Sequence, residues 1–135
     1  MLIVDASALF EVVAATPRAP QIRELLSADP DHAAPHLVDA EVMSVIMREH
    51  RRGELDDTAA RQAVEDMRSW PGERWPHAVF ADRVWELRYT VRSYDAYYVA
   101  LAEAMGATLL TCDERLTRTV GPSCPIVLAG RHGTS

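Results

Sequence analysis

Lysine is missing from this 135-residue chain; all 14 basic residues are arginine. That absence excludes the phosphate-gripping lysine of a P-loop, Schiff-base chemistry, serine–lysine dyads and the lysine of a phospho-accepting receiver domain. Cysteine is scarce. Cys112 and Cys124 are too few for a disulfide framework and match no zinc spacing, so they read as free thiols in a reducing compartment. Positive charge is also short: 14 Arg against 20 Asp and Glu leave a formal charge of −6, with a pI near 5.3. A protein that coats nucleic acid with cations does not have this balance, so contact with a polyanion requires a local device. No apolar stretch approaches the roughly 20 residues of a membrane span. The opening Met1-Leu2-Ile3-Val4 has no positive residue before it and is soon interrupted by Asp5 and Glu11, unlike a secretory signal. A soluble, cytoplasmic protein with no membrane partner is expected.

What is present is ordinary globular material, 48% hydrophobic and 25% charged, enough for one domain that buries about 70% of its unfolded surface. The domain is expected to span 1–129, with 130–135 as a frayed tail. Leu2-Ile3-Val4 has the pattern of a strand buried on both faces. Short strands are expected again near 33–35, 107–111 and 126–128, and another around 75–79, where Pro76 fits poorly. Between them, helical spacing predicts helices over 8–13, 21–27, 38–52, 56–70, 80–91 and 94–105, the last stopped by Gly106, and a short one opening at Asp113. Alternating strands and helices imply a parallel sheet covered by helices, an α/β architecture whose working crevice lies outside the strand carboxyl ends.

Four acids fall at such places. Asp5 closes the first strand, Asp113 follows the strand at 107–111, Asp95 begins the helix that feeds that strand, and Glu41 lies in the first turn of the helix at 38–52. Taken singly, each Asp is explained as a helix cap. Glu41 fits capping less well, with Asp39 available to cap, but also reads as a solvated flank. Taken together, they define a possible site. Two carboxylates about 4 Å apart repel by about 4 kcal/mol at an effective dielectric of 20, so a cluster must take up protons or hold a cation. Oxygen-only ligands suit Mg²⁺ or Mn²⁺. The five histidines show no ligand spacing and read as surface or incidental. A bound cation would also be the local device for a phosphodiester that the bulk charge repels.

These residues resemble a known family. Ile3-Val4-Asp5-Ala6-Ser7-Ala8-Leu9 is similar to the opening motif of PIN domains, and Pro35 with Glu41-Val42 resembles their second acidic motif. Tyr94-Asp95-Ala96-Tyr97-Tyr98-Val99-Ala100-Leu101-Ala102 and Leu110-Thr111-Cys112-Asp113-Glu114-Arg115-Leu116 follow the third and fourth. The resemblance runs from Leu2 to about Leu128 and is strongest to the bacterial VapC toxins of type II toxin–antitoxin systems. It implies a Rossmann-like α/β/α sandwich and a Mg²⁺- or Mn²⁺-dependent endoribonuclease. Asp5, Asp95 and Asp113 would hold the cation, and Glu41 would be a further ligand or position the attacking water. Ser7 and Thr111 match small polar positions beside the acids. It further implies a homodimer, a VapB-type antitoxin that sends a basic side chain into the acidic pocket, and a tRNA or rRNA substrate cut at unpaired positions.

The segments at 70–81 and 122–125 are idiosyncratic against that pattern. Arg92 and Arg115, next to the acids, are expected to guide RNA phosphate, against the alternative of solvated faces with local ion pairs. Tyr94, Tyr97 and Tyr98 offer rings for a base, although Tyr97 and Tyr98 inside a helix also read as core or interface. Trp70, Trp75 and Trp85 read as packing residues. Two rivals remain. A haloacid-dehalogenase-like phosphatase needs an Asp where Ser7 stands. A catalytically silent PIN-like module would use the acidic pocket only to bind a basic partner.

Overall fold

An apolar, β-branched run with no polar face belongs where neighbours cover both its edges and both its faces. In the computed structural model, which describes residues 1–129, β1 (Leu2–Val4) takes the middle of a five-stranded sheet, with Ile3 and Val4 fully buried. It pairs with β2 (His32–Pro35) on one side and β4 (Thr108–Thr111) on the other. β3 (Glu73–Trp75) flanks β2 and β5 (Ile126–Leu128) flanks β4, and every pairing is parallel. The order β3-β2-β1-β4-β5 means that the chain builds outward from β1 in one direction and then restarts on its other side. The boundary between β1 and β4 is therefore the topological switch point, where strand carboxyl ends open a crevice.

The helices are α1 (Ala6–Val13), α2 (Ala19–Ala28), α3 (Leu37–Arg51), α4 (Asp57–Ser69), α5 (Ala81–Glu86), α6 (Ser93–Met105) and α7 (Glu114–Thr117). α1 gathers α2, α3 and α4, whereas α6 lies against β1, β2 and β4, giving the Rossmann-like α/β/α sandwich expected. α6 is buried almost all round through Ala96, Tyr98, Val99, Leu101 and Ala102, and Gly106 ends it in the left-handed conformation at φ +61°. Arg83 on α5 grips Glu103 on α6 with two hydrogen bonds of 2.6 and 2.9 Å.

Several local expectations are corrected. The strand placed near 75–79 forms earlier, at Glu73–Trp75, because Pro76 has no N–H to continue a ladder. The helix expected over 80–91 is a 3-10 turn (Ala78–Phe80) followed by α5, which ends at Glu86. Beyond it Leu87 and Val91 turn into the core while Thr90 and Val91, both β-branched, favour the break. Trp85 does not pack inside; it is 67% exposed and carries the Arg88 guanidinium over its ring at 4.2 Å. Glu41 is the fifth residue of α3, one residue deeper than expected because the helix starts at Leu37, and Asp39 caps nothing. His32 is half-buried and bonded to the Leu26 and Asp29 carbonyls rather than incidental. The expectation of a frayed tail at 130–135, and His132 with it, lies outside the described residues. Cys112 and Cys124 are free, as expected.

Asp39 instead joins a clamp on the helix pair α3–α4. Arg74 on β3 donates to both Asp39 oxygens (3.1 and 2.9 Å) and to the carbonyls of Met67, Trp70 and Gly72 at the end of α4 (3.1, 2.7 and 2.8 Å). One guanidinium thus adds a second donor to the Met67 carbonyl, which also accepts the Trp70 N–H, and satisfies the carbonyls of Trp70 and Gly72 beyond α4, and lysine has neither the fork nor the five donors to replace it. Arg74→Lys is expected to lower stability by about 2 kcal/mol, measured by urea unfolding; an unchanged midpoint would show the clamp to be idle.

Candidate active site

Each acid reaches the crevice by a different element. Asp5 follows β1 directly and N-caps α1, accepting the Ala8 N–H at 3.0 Å, while its own N–H bonds Leu110 on β4. Asp113 stands just beyond β4 and caps α7. Asp95 is the third residue of α6, and Glu41 points from α3. All four line one cavity of about 790 Å³ together with Ser7. The gathering follows from topology: two acids exit the adjacent strands at the switch point, and two helices bring theirs over the same edge.

Asp5 is the most constrained. It is 5% exposed; Ser7 Oγ donates to Oδ1 at 2.6 Å and Thr111 Oγ1 donates to Oδ2. Ser7 also accepts the Cys112 N–H at 2.9 Å, and Thr111 Oγ1 accepts the Asp113 N–H at 3.0 Å. The two hydroxyls therefore link Asp5 to the loop that carries Asp113. Burial pushes the Asp5 carboxyl up to about 6, against the pull of the Ser7, Thr111 and Ala8 hydrogen bonds and with a further push from the Asp95 charge. Glu41 is raised by burial and by the charges of Asp95 and Asp5, which the Tyr98 hydrogen bond opposes. Asp95 is raised by burial and by Asp113, while Arg92 and Arg115 pull the other way. Asp113 differs: burial raises it, but the hydrogen bonds and charge of Arg115, with the charge of Arg92, outweigh that and hold it below the usual range. The carboxylates thus feel one another's charge across the groove.

The two arginines stand beside the acids. Arg115 pairs with Asp113 at 3.2 Å, and exposed Arg92 is the N-cap residue of α6, where its charge acts on Asp95 and Asp113. Among the described residues, no three His, Cys, Asp or Glu side chains already converge as a metal-ligand group. The donor set nevertheless fits a hard divalent cation chemically. It is all carboxylate and hydroxyl, contains no thiolate or imidazole at the acid end, and its mutual repulsion is what a cation relieves.

Tyr98, read as a ring for a base or as core or interface, is core, but its bond to Glu41 escaped sequence reasoning, as did the role of His77. The buried Tyr98 hydroxyl donates to Glu41 Oε1 at 2.7 Å. Its position one turn after Asp95 was the available signal, since residues three apart share a helix face. His77, read as incidental, lines the cavity. Its Nε2 accepts the N–H of Leu37, the first residue of α3, at 3.0 Å, so a side chain from the 70–81 segment caps the helix that carries Glu41. No local spacing signals that contact.

A parallel sheet with four acids at its switch point defines a class, and comparison with known proteins agrees: the chain matches the PIN domain over residues 2–122 and belongs to that family. It is 40% identical over 131 residues to the VapC ribonuclease Mb0985 of Mycobacterium bovis, covering 97% of this chain and all of that one. Among solved structures, VapC20 of Mycobacterium tuberculosis, described as a toxin cleaving the sarcin–ricin loop, superposes with a TM-score of 0.66 at 18% identity over 93% of this chain and all of that one. VapBC2 from Rickettsia felis, bound to a DNA fragment from its promoter, gives 0.65 at 17% identity over 94% and 97%. Among the described residues no helix is long and apolar enough to cross a membrane.

Proposed function

We infer that this chain is an endoribonuclease dependent on a divalent cation, the toxin of a VapBC-type module, acting in the cytoplasm as a homodimer. One observation carries the reading: four carboxylates from separate elements face one groove in a chain 40% identical to a VapC ribonuclease along nearly its whole length. Asp5, Asp95 and Asp113 would hold Mg²⁺ or Mn²⁺, with Glu41 as a further ligand or as the group that orients the attacking water. The cation supplies charge neutralisation and Lewis acidity at a phosphate oxygen. Ser7 and Thr111 keep Asp5 from rotating away. Glu41, held by Tyr98, presents an oxygen to the water and accepts its proton. Arg92 and Arg115 meet RNA phosphates, which requires Arg115 to leave Asp113. In-line attack by water leaves a 5′-phosphate and a 3′-hydroxyl.

Unpaired positions of tRNA or rRNA are the expected targets, since a strand must be splayed to enter the groove. A VapB-type antitoxin is the expected inhibitor. The Arg115–Asp113 pair shows that a guanidinium satisfies this acid, so a partner's Arg reaching the same groove would block it. The test is end-mapping of cellular RNA after induction of wild type beside Asp95→Asn. Discrete new 5′-phosphate ends are expected only with wild type. Identical ends in both, or 2′,3′-cyclic phosphates on the upstream fragments, would refute hydrolysis at this site and leave the pocket as a docking site for a basic partner.

A further inference from the structure

The cavity is larger than its acidic end. Glu41 stands midway along the α3 face that lines it, with Leu37 and Ala40 on the side of His77 and Tyr97 and with Ser44 and Val45 on the other. The two ends differ in how their polar groups are used. At the acidic end Asp5, Glu41 and Asp113 are already bonded to Ser7, Thr111, Tyr98 and Arg115. At the end where His77 meets Leu37, the hydroxyl of Tyr97 and the second ring nitrogen of His77 make no hydrogen bond among the described residues. Because Nε2 accepts the Leu37 N–H, it carries no proton, and the neutral imidazole carries it on Nδ1. His77 thus offers one fixed donor, with its ring tilted against Tyr97 at 5.0 Å between centroids.

We propose that this end is a subsite for one unpaired nucleobase, with the Tyr97 and His77 rings contacting the base and His77 Nδ1–H and the Tyr97 hydroxyl reading its edge. A concave, mostly apolar surface with a few unengaged polar groups is what a flat heteroaromatic ligand fills. Two aromatic rings favour a base over a basic peptide side chain, which the acidic end attracts instead. The segment at 70–81, idiosyncratic against the family pattern, supplies His77, so the subsite sets this chain's own base preference. The inference rests on the ribonuclease reading for its substrate, but its test does not.

Uncharged nucleosides separate the two, because they carry no phosphate and need no cation. Adenosine, guanosine, cytidine and uridine are titrated at millimolar concentration into the metal-free protein, following the imidazole signals of His77 and the ring signals of Tyr97 by NMR, with His32 and His50 as controls. At least one nucleoside is expected to move His77 and Tyr97 together while the controls stay fixed. Tyr97→Leu, which leaves the Leu37–His77 bond in place, is expected to weaken that binding about tenfold or more. In cleavage of a randomised RNA, His77→Gln is expected to change the preferred base beside the cut. Nucleosides bound by a protein that cuts no RNA would uphold the subsite and fail the nuclease reading alone. No shift with any nucleoside, or a shift only with an arginine-containing peptide, would overturn the proposal, as would an unchanged base preference in His77→Gln.

Discussion

Asp5→Asn is expected to abolish RNA cleavage, by about a thousandfold in kcat/KM, while leaving the fold in place. Asparagine keeps an oxygen that caps α1 through the Ala8 N–H and still accepts from Ser7 Oγ, while the Thr111 hydroxyl rotates to accept from its amide. What disappears is the charge. Burial already raises the Asp5 carboxyl to about 6, so the ionised form is disfavoured in the folded protein and its loss does not destabilise. Stability of the metal-free variant should therefore equal or slightly exceed wild type. The contrast appears on adding cation. At a hundredfold excess over its Kd, Mg²⁺ or Mn²⁺ is expected to add about 2.7 kcal/mol to wild type, about 10 °C in melting temperature for a domain of this size, and little to Asp5→Asn. Equal rises in both proteins, or cleavage surviving in the variant, would remove Asp5 from the site.

How much of this was legible beforehand depended on distance along the chain. Asp5, Asp95 and Asp113 announce themselves because each sits where a strand ends or a helix starts, and in a parallel sheet such boundaries meet at one edge. The alternation of apolar strands with helical spacing was enough for the architecture because β1, β2, β4 and β5 each contain a short apolar run. What failed was decided by side chains far apart in sequence. Arg74 reaches Asp39 across 35 residues and ends α4, leaving Asp39 unable to cap α3. His77 takes that capping role across 40 residues. The break after α5 depends on Leu87 and Val91 finding the core, which periodicity alone reads as one longer helix. Trp85 is outside because a guanidinium, not a neighbouring helix, covers its ring.

Tyr98→Phe tests whether Glu41 works as a fixed group or merely as a local charge. The substitution keeps the ring that fills the core, 1% exposed, and removes only the hydroxyl that bonds Glu41 Oε1 at 2.7 Å. Because Glu41 lies on the open groove, water can replace the lost donor, so the stability cost should stay near about 1 kcal/mol. Activity should suffer more. Partners that orient a ligand or base are worth about 10- to 100-fold when removed, and that loss is expected in kcat with KM for RNA nearly unchanged, since Tyr98 shapes the attacking group rather than the strand's contacts. The double variant with Glu41→Ala distinguishes positioning from general damage: if Tyr98 acts through Glu41, adding Tyr98→Phe to Glu41→Ala changes the residual rate little. Multiplicative losses in the double variant would mean that the hydroxyl acts on the substrate directly or supports the fold, and that Glu41 holds its place without it.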